Sequence, residues 1–167
     1  PDLNKPFEIY TDVSAYQLGA AIIQDGHPIA YWSKKLSDTQ MKYNTTKKEL
    51  LSIVLCMKEY LNYLIKSKHS GSIVNVASFY GVISPDPRIY TDLNRRNSEV
   101  YGATKAGIIQ MTKYFAVNGV LDGANVRVNG IAPGGIRNSS DPQGEDFQRL
   151  YSERCPLKRM AEVEEMV

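Results

Sequence analysis

Five side chains have types and spacings that could do chemistry. Asp12 ends the alternating run Phe7-Glu8-Ile9-Tyr10-Thr11, so a carboxylate stands at the C-terminal tip of a half-buried strand. Glu49 follows Thr46 by three residues at the start of a helical pattern. That spacing reads either as an acid able to bind a cation or as a capping box, in which hydroxyl and acid satisfy helix N-terminal amides. Asp12, followed by Val13-Ser14-Ala15, reads equally as the opening of a turn. Ser78 closes an apolar run, and Tyr101 precedes Lys105 in a Tyr-x-x-x-Lys pattern that carries little weight alone. Taken singly, Tyr101 is a helix-start aromatic, Lys105 an exposed helix charge and Ser78 an ordinary strand-end residue.

The elements that must position these groups differ between the two halves. Leu18 to Gln24 and Pro28 to Ser33 are strand-like and are joined through Asp25-Gly26, a dipeptide that tolerates positive φ at both positions and so suits a two-residue hairpin. From Thr46 the period changes. Leu50, Ile53, Val54, Met57, Leu61, Leu64 and Ile65 recur at helical spacing, and burying each would contribute roughly 1.5–3 kcal/mol before entropy, so this helix requires a sheet to cover. Ser72 to Ala77 and Val126 to Ala132 are short apolar runs typical of buried parallel strands, with a helix from Tyr101 to Ala116 between them. Gly81 to Glu99, with Pro85-Asp86-Pro87 and the polar run Asn94-Arg95-Arg96-Asn97, predicts a long surface loop. The tail from Asn138, with Phe147, Leu150 and Tyr151 at helical spacing, either caps the sheet end or stays mobile.

Pro6-Phe7 to Asp12, Leu18-Gly19-Ala20, Pro28-Ile29-Ala30-Tyr31, Ser33-Lys34-Lys35-Leu36 and Tyr43 through Leu51 together resemble the ribonuclease H domain of gypsy-type retrotransposon polyproteins. In that family a cluster of four carboxylates holds two Mg²⁺ ions for phosphodiester hydrolysis. The resemblance maps two of them onto Asp12 and Glu49. Two metals need several carboxylates to offset their charge, whereas a single Mg²⁺ sits on one or two plus waters, so a weak Mg²⁺ site is the most this half would support.

Gly71-Ser72-Ile73-Val74-Asn75-Val76-Ala77-Ser78, then Tyr101-Gly102-Ala103-Thr104-Lys105, then Arg127 through Gly135 resemble the short-chain dehydrogenase/reductase family in their order. The resemblance implies a proton-transferring Tyr101, a Lys105 that lowers the tyrosine pKa and holds the nicotinamide ribose, and a Ser78 that orients substrate oxygen. Pro133 and Gly134 would border the nicotinamide. The separation of Ser78 from Tyr101 exceeds the family's usual one, so the loop must fold back. Asn138 replaces the family's threonine, and the helix-borne asparagine of its proton relay is missing. No Gly-x-Gly-x-x-Gly or Gly-x-x-x-Gly-x-Gly turn occurs in the sequence to admit a pyrophosphate to a helix N-terminus.

Composition fits one ordinary globular domain of 167 residues, 43% hydrophobic and 23% charged, with a net charge of +2 that gives no strong field for nucleic acid. No apolar run approaches the ~18–20 residues of a membrane span, and the start has neither initiator Met nor a signal pattern, which reads as a trimmed, cytoplasmic chain. Cys56 and Cys155 read as a core filler and a bystander, and His27 and His69 as solvated residues. All eight arginines fall between Arg88 and Arg159, which supports a junction between two sources. The expectation is therefore a chimera, 1–66 ribonuclease H-like, 67–70 a junction and 71–167 dehydrogenase-like. It should fold as one hybrid three-layer α/β domain around a mixed five-stranded sheet of order 3-2-1-4-5. The first three strands would be antiparallel and the last two parallel, gathering Asp12, Glu49, Ser78, Tyr101 and Lys105 at one edge. Such a chain would be engineered or recombined, with no efficient activity and no cofactor beyond weak Mg²⁺. The alternatives are residual nuclease activity, residual NAD(P)-dependent oxidoreductase activity, or an interaction module. A homodimer is expected through Ile108, Met111 and Phe115 on the Tyr101 helix, without strong nucleic-acid or membrane binding.

Overall fold

The computed structural model describes residue 5 and residues 8–43, 45–91, 97–137 and 143–166. The Thr46 side chain of the expected capping box, the Asn94 to Arg96 part of the polar run, and Asn138 through Pro142 lie outside the described residues. The chain divides into two compact units, one of residues 1–71 with 117–126 and one of residues 72–116 with 127–167.

The first unit opens with the antiparallel meander β1 (Glu8–Val13), β2 (Gln17–Gln24) and β3 (His27–Lys35), with β2 central. Asp25 and Gly26, at φ 51° and 75°, form the tight β2–β3 turn that their residue types predict. A four-residue helix, α1 (Asp38–Met41), is closed by a reciprocal capping box between Ser37 and Gln40. The long helix α2 (Thr45–Ser67) packs on β1 and β2, burying Leu18 and Ala20 of the sheet with its own Met57, Leu61 and Leu64. Residues 117–126, from the dehydrogenase-like half, complete this unit. A Cβ added at Gly119 would lie 3.2 Å from Val126 Cγ1 and 3.3 Å from Leu61 Cδ2, so α2 and the last turns of the following helix meet at a position with no side chain.

The remaining elements are β4 (Ser70–Val76), α3 (Glu99–Leu121), β5 (Asn125–Ile131) and α4 (Glu145–Arg154), and β4 and β5 form a parallel pair. In the second unit Asn75 of β4 donates from Nδ2 to Thr112 Oγ1 of α3 at 2.9 Å, which satisfies a polar strand residue turned toward a helix. The core of this unit is Ile89, Tyr90, Tyr151 and Met160, flanked by Phe79, Phe147, Leu150 and Cys155. The stretch expected as a surface loop is thus partly core. The Asp86 side chain accepts from Arg88 N and Pro87 supplies a preset φ, which winds Pro87–Ile89 into a 3₁₀ turn and turns Ile89 inward to 2% exposure. Within the tail, α4 packs into the same core through Tyr151, which is 7% exposed.

The α/β class and the strand directions are as expected, but the single mixed sheet is not. The strands lie in two sheets, β1-β2-β3 and β4-β5. Their burial gives the reason. β1 is exposed at five of its six residues, and β4 alternates exposed with half-buried ones, leaving Val74 59% and Val76 56% exposed. An interior strand of a mixed sheet is covered on both faces, and β1 and β4 both keep exposed positions along their length. The Tyr101 helix also differs in detail. Ile108 and Phe115 are buried at 5%, and the large hydrophobic residues it exposes include Tyr114, Val117, Val120 and Leu121.

Candidate functional site

Asp12 and Glu49 both belong to the first unit and both are exposed. The register pairs Asp12 with Gly19, and Gly19 with Ser33, in the rows whose side chains point away from buried Leu18 and Ala20. Glu49 stands in the first turns of α2, which packs on the sheet at Leu18 and Ala20. Beside it Lys48 is 7% exposed, and its Nζ donates to Ala15 O at 2.9 Å, holding the turn that follows Asp12. No group of three or more His, Cys, Asp or Glu side chains among the described residues could hold a metal ion. The residues present therefore do not fit a two-metal centre.

The second unit brings its five candidate residues into one neighbourhood. Ser78, 7% exposed, ends the strand segment and caps the 3₁₀ turn Phe79–Gly81, its Oγ accepting from Tyr80 N at 3.2 Å. The next amide, Phe79 N, donates to Pro133 O at 3.0 Å, and Ala77 N donates to Ile131 O at 2.8 Å, so the Pro133-Gly134 loop is tied directly to the Ser78 turn. A Cβ at Gly81 would lie 2.7 Å from the Lys105 carbonyl carbon. That contact is the fold-back the long Ser78–Tyr101 separation requires, and only glycine permits it. Lys105 Nζ donates to Val76 O at 3.3 Å and lies 5.7 Å from the centroid of the Tyr101 ring.

Tyr151 and Gly135 support this arrangement, and the sequence, which placed Tyr151 on a helical tail and Gly135 in the third motif, gave no sign that the two meet. The Tyr151 hydroxyl accepts from Gly135 N, while a Cβ at Gly135 would sit 2.8 Å from Tyr151 Cζ. Burial pushes the Tyr151 hydroxyl above its ordinary pKa, which keeps it neutral in that role. Residues 135–137 are also bound to the C-terminal segment, Ala161 N donating to Gly135 O at 3.0 Å and Arg137 N to Ala161 O at 2.8 Å. On the outer side of the same core, Asp86 accepts from Arg88 and from Arg154 of α4, and Arg88 first among them holds its carboxyl far below the usual carboxylate range. The glycines of the Pro133-Gly134-Gly135 loop are accounted for by the ring of Tyr151, and nothing in the sequence supplies a pyrophosphate cradle. A whole dinucleotide is therefore only partly fitted.

Comparison with known proteins finds two likenesses that overlap along the chain. Residues 1–70 match the RNase H-like domain found in reverse transcriptase. The retrovirus-related Pol polyprotein from transposon 297 of Drosophila melanogaster is 43% identical over 65 residues, 39% of this chain and 6% of that protein. Post-translational flagellin modification protein A of Campylobacter coli is 28% identical over 169 residues, 98% of this chain and 61% of that protein. Among solved structures, a short chain dehydrogenase from Leptospira borgpetersenii with bound NAD⁺ superimposes with a TM-score of 0.61 at 34% identity, covering 75% of this chain and 45% of that one. The chain thus spans less than two thirds of each of these relatives. Residues from Gly71 onward make up under three fifths of the chain, so the dehydrogenase likeness reaches back before Gly71.

Proposed function

We propose that this chain, an RNase H-like region joined to a short-chain-dehydrogenase-like region, is a recombined protein in which neither source chemistry turns over efficiently. One observation carries the reading. The residues ahead of β4 are those of the RNase H-like match, in the place where a nicotinamide-dependent fold needs its glycine-rich strand-to-helix turn. α2 is then the element common to both sources, an amphipathic helix leading into a strand, which is why the two likenesses overlap there.

Ser78, Tyr101, Lys105, Pro133 and Gly134 remain as the nicotinamide end of a site, whereas Asp12 and Glu49 remain as separate exposed carboxylates. When bound, a dinucleotide would supply hydride transfer. Held as they are, Lys105 and Tyr101 would orient a ribose and a substrate oxygen, but without a pyrophosphate contact the affinity stays in the millimolar range, about 4 kcal/mol of binding free energy. The 5.7 Å approach of Lys105 to the Tyr101 ring and the bond from Phe79 N to Pro133 O favour residual reductase activity as the second reading. An RNA–DNA hybrid incubated with Mg²⁺ or Mn²⁺ should be cut no faster than background. Cleavage that disappears in Asp12→Asn would contradict the proposal for the first half.

A further inference from the structure

β4 has a paired edge and a free one. Ala77 N donates to Ile131 O, and a Cβ at Gly130 would lie 3.5 Å from Asn75 O, so in the parallel ladder Asn75 stands beside Gly130 and turns its main chain toward β5. Successive residues alternate. Ser72, Val74 and Val76 therefore turn their N–H and C=O groups outward, to an edge that no other strand pairs among the described residues. Lys105 Nζ takes the last outward carbonyl, Val76 O, at 3.3 Å. The same alternation sets the side chains. Asn75 faces Thr112 of α3, and the opposite face carries three rows, Val76 beside Ile131, Val74 beside Asn129 and Ser72 beside Arg127, all six residues exposed.

Free edges are ordinarily blunted by charge, proline or a bulge, because unpaired main-chain groups recruit another chain. The other edge strands follow that rule. β1 carries Glu8 and Asp12, β3 carries Pro28, Lys34 and Lys35, and β5 carries Arg127. β4, Ser70-Gly71-Ser72-Ile73-Val74-Asn75-Val76, carries neither charge nor proline. Parallel strands are also ordinarily covered on both faces, and here one face is bare. We infer that the outer edge of β4 binds an extended segment of a partner protein, an acid followed by apolar residues two and four positions later. Running parallel to β4, the segment sets its acid level with Ser72 and its apolar residues level with Val74 and Val76, while the residues between them bond the outward main chain. Charge calls for the acid. Arg127 is the charged residue of the three rows and makes no ion pair among the described residues. The added strand lies two strand spacings from β5, about 9.5 Å, a span that arginine and glutamate side chains bridge together. A second copy of β4 in that place would bring no acid to Arg127.

The test is fluorescence anisotropy of labelled Gly-Glu-Thr-Val-Thr-Val-Gly amide titrated with the full chain, beside the analogue with lysine in place of glutamate. The acidic peptide should bind at least about fivefold tighter, and Arg127→Glu should reverse that order. The two threonines are the residues that bond β4 in a parallel ladder, so N-methylation of both should weaken binding by at least about tenfold. N-methylation of both valines, whose N–H groups point away from β4, should change it by less than about twofold. Val74→Pro removes an outward N–H at a free edge, where proline is tolerated, and should abolish binding with the far-ultraviolet circular dichroism unchanged. Absence of binding at millimolar chain, equal affinity for the two charge forms, equal effects of the two methylation patterns, or binding that survives Val74→Pro in folded protein would overturn the assignment. A light-scattering mass that falls in Val74→Pro would make a second copy the occupant and overturn it as well.

Discussion

Tyr151 is the residue on which most of the second unit's local order converges. Its ring closes the core with Ile89, Tyr90 and Met160, and its hydroxyl accepts from Gly135 N at the loop beside Ser78. Tyr151→Phe keeps the ring and leaves a buried N–H unpaired, so it should cost about 1–3 kcal/mol in urea unfolding. Gly135→Ala, which drives a methyl into that ring, should cost as much again by overpacking. The C-terminal ion pair is a different kind of residue-scale feature. Arg159 holds the exposed Glu165 carboxyl down to about 2 from its ordinary 4.5. A depressed carboxylate stabilises the fold above its unfolded pKa and loses that contribution as pH falls, here from about 4.5 toward 2. Glu165→Gln should therefore flatten the acid limb of a stability-against-pH profile in that window and lower stability above it, where the ionised carboxylate makes its full contribution. A slope unchanged by the substitution would show the pair to be energetically silent, as many exposed pairs are.

At the scale of elements, the meander, its Asp25-Gly26 turn and the long helix were legible in the sequence, because alternation, a turn dipeptide and a 3.6-residue period are local signals. The parallel pair with its intervening helix was legible for the same reason. The pairing between halves was not. Residue types specify which face a strand buries, and they do not specify which foreign strand will meet its edge. Ile89 and Tyr90 escaped for a related reason. They sit in a stretch broken by prolines, and only the packing against α4 shows them as core. Of the candidate site, the cluster of Ser78, Lys105 and Pro133 could be anticipated from motif order, whereas the supporting Tyr151 lies too far along the chain for any periodicity to link it. Gly119 offers the sharpest test of an element contact. Gly119→Leu should destabilise by about 1–3 kcal/mol, because its side chain must displace Leu61 and Val126. Gly119→Ala should fall near zero, the helix-propensity gain of about 1 kcal/mol offsetting the tight contact. Equal stability of the two variants would show that α2 and α3 adjust freely there.

For the whole molecule, residues 117–126 belong to the same compact unit as residues 1–71. Among the described residues no helix is long and apolar enough to cross a membrane. Tyr114, Val117 and Leu121 recur at helical spacing on α3 and are 55%, 59% and 76% exposed, an apolar stripe that favours self-association. Light scattering should find a homodimer that Val117→Lys converts to monomer, and a concentration-independent mass of 18.7 kDa in the unmodified chain would refute it. The central claim, that recombination left a nicotinamide end without a pyrophosphate cradle, is tested most directly by titrating the full chain with NADH and NADPH. The account predicts no saturable binding below millimolar concentration. Saturation at micromolar dinucleotide, weakened by Lys105→Ala, would contradict it.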